Sequence, residues 1–396
     1  MKKARWLWTI LWAGLLLALA ACGGGSEEEE ALPIAAETAA PAGGGLGTPA
    51  PKVPTGSTVG YGMCVDWGSY VERALALTKD ANFNWVKYQV RWADQEPQQG
   101  NVYLDKLDSA ISQANSYGFH VLLSVVTAPD WSRAADTDLS VPGPPEDPAD
   151  YANFVGLLAE RYKGYVDAYE VWNEQNLWYE WGGQGRLNAG DYVELLKAAY
   201  TAIKAADPAA LVISGGLTPT GVDDGVVAVD DVRYLQQMYD AGLMNYCDGV
   251  GAHPGGYNNP PDDDPEHNTT STTTFKGHPS FYYKRFEQYH EVMANNGDDG
   301  KQLWFSEFGW ASSDNPPAGY EFALDNTEEM QAQYLVRAFE LAKEAGYVGP
   351  MFLWDLNFGP AAEPGDSKAK KPFSLLRDDW SPRPAFDAVA EMPKDP

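Results

Sequence analysis

From residue 57 onward, short β-branched or apolar runs alternate with longer segments of helical period, eight times over. No other feature of the chain constrains its fold as strongly. The pattern predicts strands at 58–64, 84–90, 119–126, 166–172, 211–215, 248–252, 302–306 and 350–355. Helices are predicted between them, at 69–81, 104–117, 148–163, 190–206, 229–241, 280–295, 327–345 and 383–391. Asp147-Pro148 marks one helix start, and Gly118 and Gly346 follow two helix ends. Eight such units in about 340 residues is the arithmetic of an α/β (β/α)8 TIM barrel, one domain over 57–396. A doubly wound sheet usually needs fewer strands and often opens on a glycine-rich turn, and neither pattern is present. In a barrel the residues that end each strand share one pocket.

The N-terminus reads as an address. Lys2, Lys3 and Arg5 precede an apolar stretch, Trp6 to Leu19, too short and too N-terminal to favour a stable membrane span. Leu19-Ala20-Ala21-Cys22 then resembles a bacterial lipobox, which implies a signal peptide over 1–21 and a lipid on Cys22. Residues 22–56 are rich in Gly, Ala, Pro and Glu and poor in bulky apolar residues, the composition of a flexible tether. The expected location is extracytoplasmic, on the bacterial membrane surface. The formal charge of −28 belongs almost entirely to the domain, because the signal carries three cations and the tether five Glu and one Lys. Such acidity argues against nucleic acid as a partner.

Three cysteines are too few for a disulfide scaffold and have no zinc-like spacing. Cys64 and Cys247 fall near opposite ends of their strands, so free buried thiols are expected. His120, His267, His278 and His290 form no pair with metal-ligand spacing. The Asp262-Asp263-Asp264 run lacks an EF-type glycine and reads as a solvated loop rather than a calcium site.

The chemistry lies at two strand ends. Strand four runs into Val171-Trp172-Asn173-Glu174-Gln175-Asn176, and strand seven into Phe305-Ser306-Glu307-Phe308-Gly309-Trp310. A barrel brings Glu174 and Glu307 to one rim. Two buried carboxyls close together favour protonation of one, the division a general acid and a nucleophile need. Such a pair can protonate a leaving oxygen while attacking or stabilising a developing cation.

On these residues the chain resembles the retaining glycoside hydrolases of clan A, in the style of families 39 and 5. The specific parts are Trp172-Asn173-Glu174, Ser306-Glu307 and Trp354 at the end of strand eight. Weaker supports are Trp92 with Glu96-Pro97 and Gly100, Ala128-Pro129-Asp130-Trp131, and Arg383-Pro384-Ala385-Phe386. The resemblance implies that Glu174 is acid/base, that Asn173 holds the sugar 2-hydroxyl and that Glu307 is the nucleophile. It also implies that His253 and Tyr257, in Ala252-His253-Pro254-Gly255-Gly256-Tyr257, bond substrate and nucleophile, although Pro-Gly-Gly makes their spacing longer than usual.

Strand two departs from the clan, which places an arginine beside the nucleophile. Here Lys87 stands at that position, and alternation puts Lys87, Gln89 and Arg91 on one face, so either cation could keep Glu307 ionised. Glu170 faces inward too, as a buried partner for Lys87. Trp131, Trp178, Trp181 and Trp310 lie in rim loops, where flat rings suit sugar C–H faces; about half of them are expected to touch substrate, with Trp354 beside them. Trp85 and Trp304 read as core.

The resulting expectation is a monomeric surface lipoprotein that hydrolyses β-linked poly- or oligosaccharide with retention, without metal or cofactor. The rivals are a sugar-capturing solute-binding lipoprotein, which has no reason to carry both glutamates, and a catalytically dead carbohydrate-binding barrel. Tether and site are separate, so Cys22→Ala should move the protein out of the membrane fraction with its specific activity unchanged. A processed variant that stays on the membrane would rule out the lipid anchor.

Overall fold

The computed structural model describes residues 46, 59–266, 275–358 and 370–394. The signal segment, Cys22, all of the tether but residue 46, and His267 lie outside them. Eight parallel strands close on themselves in chain order. They are β1 (Tyr61–Cys64), β2 (Trp85–Arg91), β3 (His120–Val126), β4 (Ala168–Val171), β5 (Leu211–Ser214), β6 (Gly249–Ala252), β7 (Gln302–Phe308) and β8 (Val348–Leu353). Around them run α1 (Val71–Asp80), α2 (Trp92–Gln95), α3 (Asp105–Ser116), α4 (Pro148–Arg161), α5 (Ala189–Ala206), α6 (Asp231–Asp240), α7 (Arg285–Asn295), α8 (Glu328–Ala345) and a final helix, Pro384–Glu391. This is the (β/α)8 barrel that the alternation predicts. Among the described residues no helix is long and apolar enough to cross a membrane.

Local chemistry sets the helix ends. The Asp147 carboxylate accepts from Ala149 N with Pro148 at the first helical position, Asn188 caps α5, and Thr327 caps α8 through Met330 N. Gly346 closes α8 in the left-handed region. Strand ends shift by a few residues, as in β7 and β8, and two helical segments differ more from the sequence reading. Pro279–Phe281 forms a separate 3-10 turn, so α7 starts at Arg285 rather than near 280. The turn α2 carries no periodic signal, being only four residues long.

Inside the barrel, Cys64, Trp85, Leu122, Ala168, Ile213, Trp304 and Phe352 form an apolar plug, each from a different strand. The two tryptophans are core, as expected, and meet edge to face with centroids 5.4 Å apart. Strand β6 makes room with glycine: a Cβ on Gly249 would come 2.8 Å from Trp304 Nε1. Below the plug His120 stacks on Trp85 and lies 2.9 Å from the Asp167 carboxylate, at the end of the barrel away from the strand-end rim. Each fully buried large apolar side chain contributes about 1.5–3 kcal/mol, so this plug holds the strand ends in place. Cys64 and Cys247 are both buried thiols in no disulfide, and burial pushes the Cys247 thiol up to about 12.

Strands β5 and β6 approach closely at Gly251, where a Cβ would stand 2.2 Å from the Ser214 carbonyl oxygen. Main chain cannot yield as a flexible side chain can. Gly251→Ala should therefore destabilise the fold by about 1–3 kcal/mol, read as a lower denaturant midpoint. An unchanged midpoint would mean that the two strands can separate locally at no cost.

Candidate active site

Strict alternation along β7 would turn Glu307 away from the barrel axis, because Trp304 points inward. The backbone does otherwise. Phe305 pairs with Met351 and Phe308 with Leu353, so three steps on β7 oppose two on β8. Phe305 and Phe308 both pack outward, against Phe286 and Phe339 respectively. The bulge between them brings Ser306 and Glu307 together to the mouth.

Strand β4 reaches the same place by a different device. Trp172 and Glu174 adopt φ of 71° and 48°, in the left-handed region that bulky residues avoid. Main-chain bonds hold the turn, from Trp172 N to Val125 O at 3.1 Å and from Glu174 N to Gly216 O at 2.9 Å. The Trp172 ring goes outward into the core beside Tyr151 and Trp181. Asn173 and Glu174 are left facing the pocket, with Asn173 Oδ1 buried and unbonded among the described residues.

One pocket collects Gln89, Asn173, Glu174, Glu180, His253, Tyr257, Glu307, Trp354 and Lys370, with Tyr320, Phe322 and Phe373 as apolar wall. Donor atoms of Glu174, His253 and Glu307 all lie within 4.8 Å of one another. That spacing would also suit a divalent cation, but the ammonium beside Glu307 already supplies positive charge there, which repels a second cation.

That ammonium is Lys87. Its Nζ donates to Glu307 Oε1 at 2.9 Å and to the Ser306 carbonyl oxygen at 3.2 Å, and forms an ion pair with Glu170 Oε2 at 2.9 Å. Burial works against its charge, but Glu170 and Glu307 outweigh burial and hold its pKa above the ordinary lysine value. Burial likewise opposes charge on Glu170, which nevertheless stays below the usual carboxylate range because of Lys87 and then His253. Arg91 is elsewhere: it is 29% exposed, pairs with Asp94 at 3.2 Å and does not line the pocket. Of the two candidate cations, Lys87 meets Glu307.

His253 Nδ1 lies 3.0 Å from Glu174 Oε1, and its Nε2 3.1 Å from Ser306 Oγ. Burial opposes protonation of the ring, yet Glu307 and Glu174 raise its pKa above the ordinary histidine value. The Tyr257 ring lines the pocket, but its hydroxyl donates to the Pro219 carbonyl at 2.6 Å rather than to Glu307.

Several rim tryptophans are structural, contrary to expectation. Trp310 is 1% exposed, donates to Asn259 O at 2.9 Å and packs on Tyr283 and Tyr334. Trp181 is buried against Trp172 and Tyr192. Trp131 donates to the Glu96 carbonyl and stands edge-on to Trp92, and Trp178 packs partly into the Leu177 cluster. None of the four lines the pocket, whereas Trp354 does. Hydrophobic length cannot distinguish a ring that turns under a loop from one that faces the mouth. The Trp92-Glu96-Gly100 motif is also a clasp: the Glu96 carboxylate accepts from Trp92 Nε1 at 2.7 Å and Gly100 N at 2.8 Å. Sequence reasoning missed Glu180 and Lys370, which line the pocket. Only the return of their loops to the mouth marks them.

Removing Lys87 strands Glu170, which is fully buried. Lys87→Met should cost about 3–5 kcal/mol at pH 7, while Arg91→Met, losing an exposed pair, should cost less than about 1 kcal/mol. The folded state holds the Glu170 pKa down. The stability this provides is present above the unfolded carboxylate value and lost as pH falls through the lower folded one. The gap between wild type and Lys87→Met should therefore narrow below about pH 4.5 in melts at several pH values. A gap independent of pH would detach Glu170 from Lys87.

The cellulase family model, glycosyl hydrolase family 5, matches residues 52–359. No curated protein sequence matches the chain. Among solved structures, a family 39 glycoside hydrolase from the gut symbiont Bacteroides cellulosilyticus WH2 superposes with TM-score 0.63 at 22% identity. It shares 86% of this chain and 64% of its own, so this chain spans less than two thirds of that relative. GH5_18 from Streptomyces cattleya, in complex with GlcNAc, gives TM-score 0.64 at 14% identity, over 85% of this chain and 79% of its own. Native xylanase 10B from Thermotoga maritima gives 0.54 at 15% identity, over 84% and 94%. These likenesses establish a shared (β/α)8 barrel, and the family match identifies the chain as a member of the cellulase family, glycosyl hydrolase family 5.

Proposed function

We propose that this glycosidase cleaves β-linked oligo- or polysaccharide with retention of configuration, Glu307 acting as nucleophile and Glu174 as acid and then base. One observation carries the reading: carboxylate oxygens of Glu174 and Glu307 lie within 4.8 Å of each other. Retaining enzymes separate their carboxyl groups by about 5–5.5 Å, whereas inverting enzymes leave about 6.5–9.5 Å for a water. In the first step Glu307 bonds to the anomeric carbon while Glu174 gives a proton to the departing oxygen. Water then attacks the glycosyl-enzyme, returning its proton to Glu174 and freeing Glu307.

The neighbours support the division of roles. Lys87, itself held by the Ser306 carbonyl, fixes one oxygen of Glu307, and the His253 ring fixes one oxygen of Glu174, leaving Glu174 Oε2 without a partner among the described residues. Asn173 Oδ1, also unbonded, is placed to accept from a sugar hydroxyl beside the reacting carbon. The family's name and the xylanase among the structural neighbours favour a β-linked polysaccharide. The lipobox at Cys22 supports display on the outer face of a bacterial membrane.

Glycosyl azide stereochemistry tests the roles. Glu174→Ala should lose about 10²–10⁴-fold on substrates with poor leaving groups, yet still form the glycosyl-enzyme from an activated aryl β-glycoside. Added azide then gives the β-glycosyl azide. Glu307→Ala forms no covalent intermediate, and azide attacks directly to give the α-product. The opposite pairing would exchange the two roles, and a wild type that binds sugars but cleaves no glycoside would make the protein a binding barrel.

A further inference from the structure

Glu180 lies six residues beyond Glu174, in the loop that follows β4, and the fold grips its main chain from both sides. The indole N–H of fully buried Trp172 donates to its carbonyl at 2.9 Å, and its own N–H donates to Leu177 O at 3.1 Å. Glu174 and Glu180 are therefore positioned by the same rigid tryptophan. The Glu180 side chain forms part of the wall that holds Asn173, Glu174, His253 and Glu307, and the residue is 7% exposed.

Its carboxyl has no hydrogen bond or ion pair among the described residues; the cations that act on it, Arg91 and Lys370, do so only at a distance. A carboxyl so buried and unbonded is costly unless it is neutral or a ligand satisfies it. Three carboxyls around one small pocket also resist ionising together. Burial first, then Glu174 and Glu307, push the Glu180 carboxyl well above the usual carboxylate range. Lys87 is taken up by Glu170 and Glu307, and Asp355 by Ser374, so neither relieves Glu180.

We propose that Glu180 is a specificity-determining residue, a neutral carboxylic acid that binds two adjacent hydroxyls of an uncharged sugar next to the scissile bond. Its O–H donates to one hydroxyl oxygen while its carbonyl oxygen accepts from the next, a fork that matches a vicinal diol. A sugar bearing a carboxylate would meet three acids on this side of the pocket and is disfavoured.

The proposal rests on the glycosidase reading, so the test separates the two. Wild type, Glu180→Gln and Glu180→Leu are assayed on the 4-nitrophenyl β-D-glucoside, galactoside, mannoside and xyloside and on the monodeoxy forms of the best of these. The leucine variant should lose about 10- to 100-fold in kcat/KM. Glutamine, which keeps a donor and an acceptor, should restore most of it. The loss should nearly vanish on the deoxy substrate that lacks the contacted hydroxyl. Unchanged kcat/KM for Glu180→Leu on every glycoside overturns the proposal. Equal losses for both variants on all substrates, with a lowered melting temperature, overturn it as well, since that is the signature of a structural prop. If wild type cleaves none of them, calorimetric titration of Glu307→Gln with cellobiose, xylobiose and mannobiose decides. Weaker binding on adding Glu180→Leu upholds the sugar contact while the hydrolase reading falls. Unaltered binding, or none at all, overturns it.

Discussion

A single buried ammonium organises the mouth of this barrel. Lys87 is held by Glu170 from β4, Glu307 from β7 and the Ser306 carbonyl, so three strands depend on one charge. Without it two buried carboxylates would face each other unpaired, which a low-dielectric interior does not tolerate. A lysine suits this position. A compact point charge serves three oxygens arriving from different directions, whereas a planar guanidinium prefers a carboxylate that meets it side-on. The plug of Trp85, Trp304 and Phe352 beneath excludes water and keeps that charge distribution rigid.

The same arrangement makes two chemically identical glutamates unequal. Glu307 rests against a permanent cation, while Glu174 rests against an imidazole that is itself braced by Ser306. Further acids at the rim follow a different rule. Asp355 and Glu180 are dominated by burial and are pushed well above the usual carboxylate range. The mouth thus mixes carboxyls that have a cation close by with acids whose environment favours the protonated form, in which a carboxyl can donate as well as accept.

The aromatic residues divide in a similar way. Trp172, Trp181 and Trp310 sit under the loops and set their shape, and the Trp92–Glu96–Gly100 clasp does so for the loop after β2. The apolar wall that a sugar would meet comes instead from Trp354, Tyr257, Phe322 and Phe373. Lys370 lies over the Trp354 and Phe358 rings, a cation held by π faces and by no carboxylate among the described residues. Loop stiffness and sugar recognition therefore use different aromatic residues.

The order of elements and the identity of the two glutamates were legible in the sequence, because both rest on local rules. Eight alternations of period two and period 3.6 leave few ways to bury every apolar face, and a closed barrel is one of them. Strand ends then name Glu174 and Glu307. The inward facing of Lys87 and Glu170 follows from alternation along β2 and β4. The tertiary structure decided what alternation cannot reach. A bulge in β7 turns Glu307 inward against the simple two-residue period, and the left-handed turn at Trp172 sends that ring out while bringing Asn173 in. It chose Lys87 over Arg91 by distance, since both share a strand face. It buried Trp310 and brought Glu180 to the pocket, because a loop's path depends on packing against distant segments that leaves no periodic trace in its own residues.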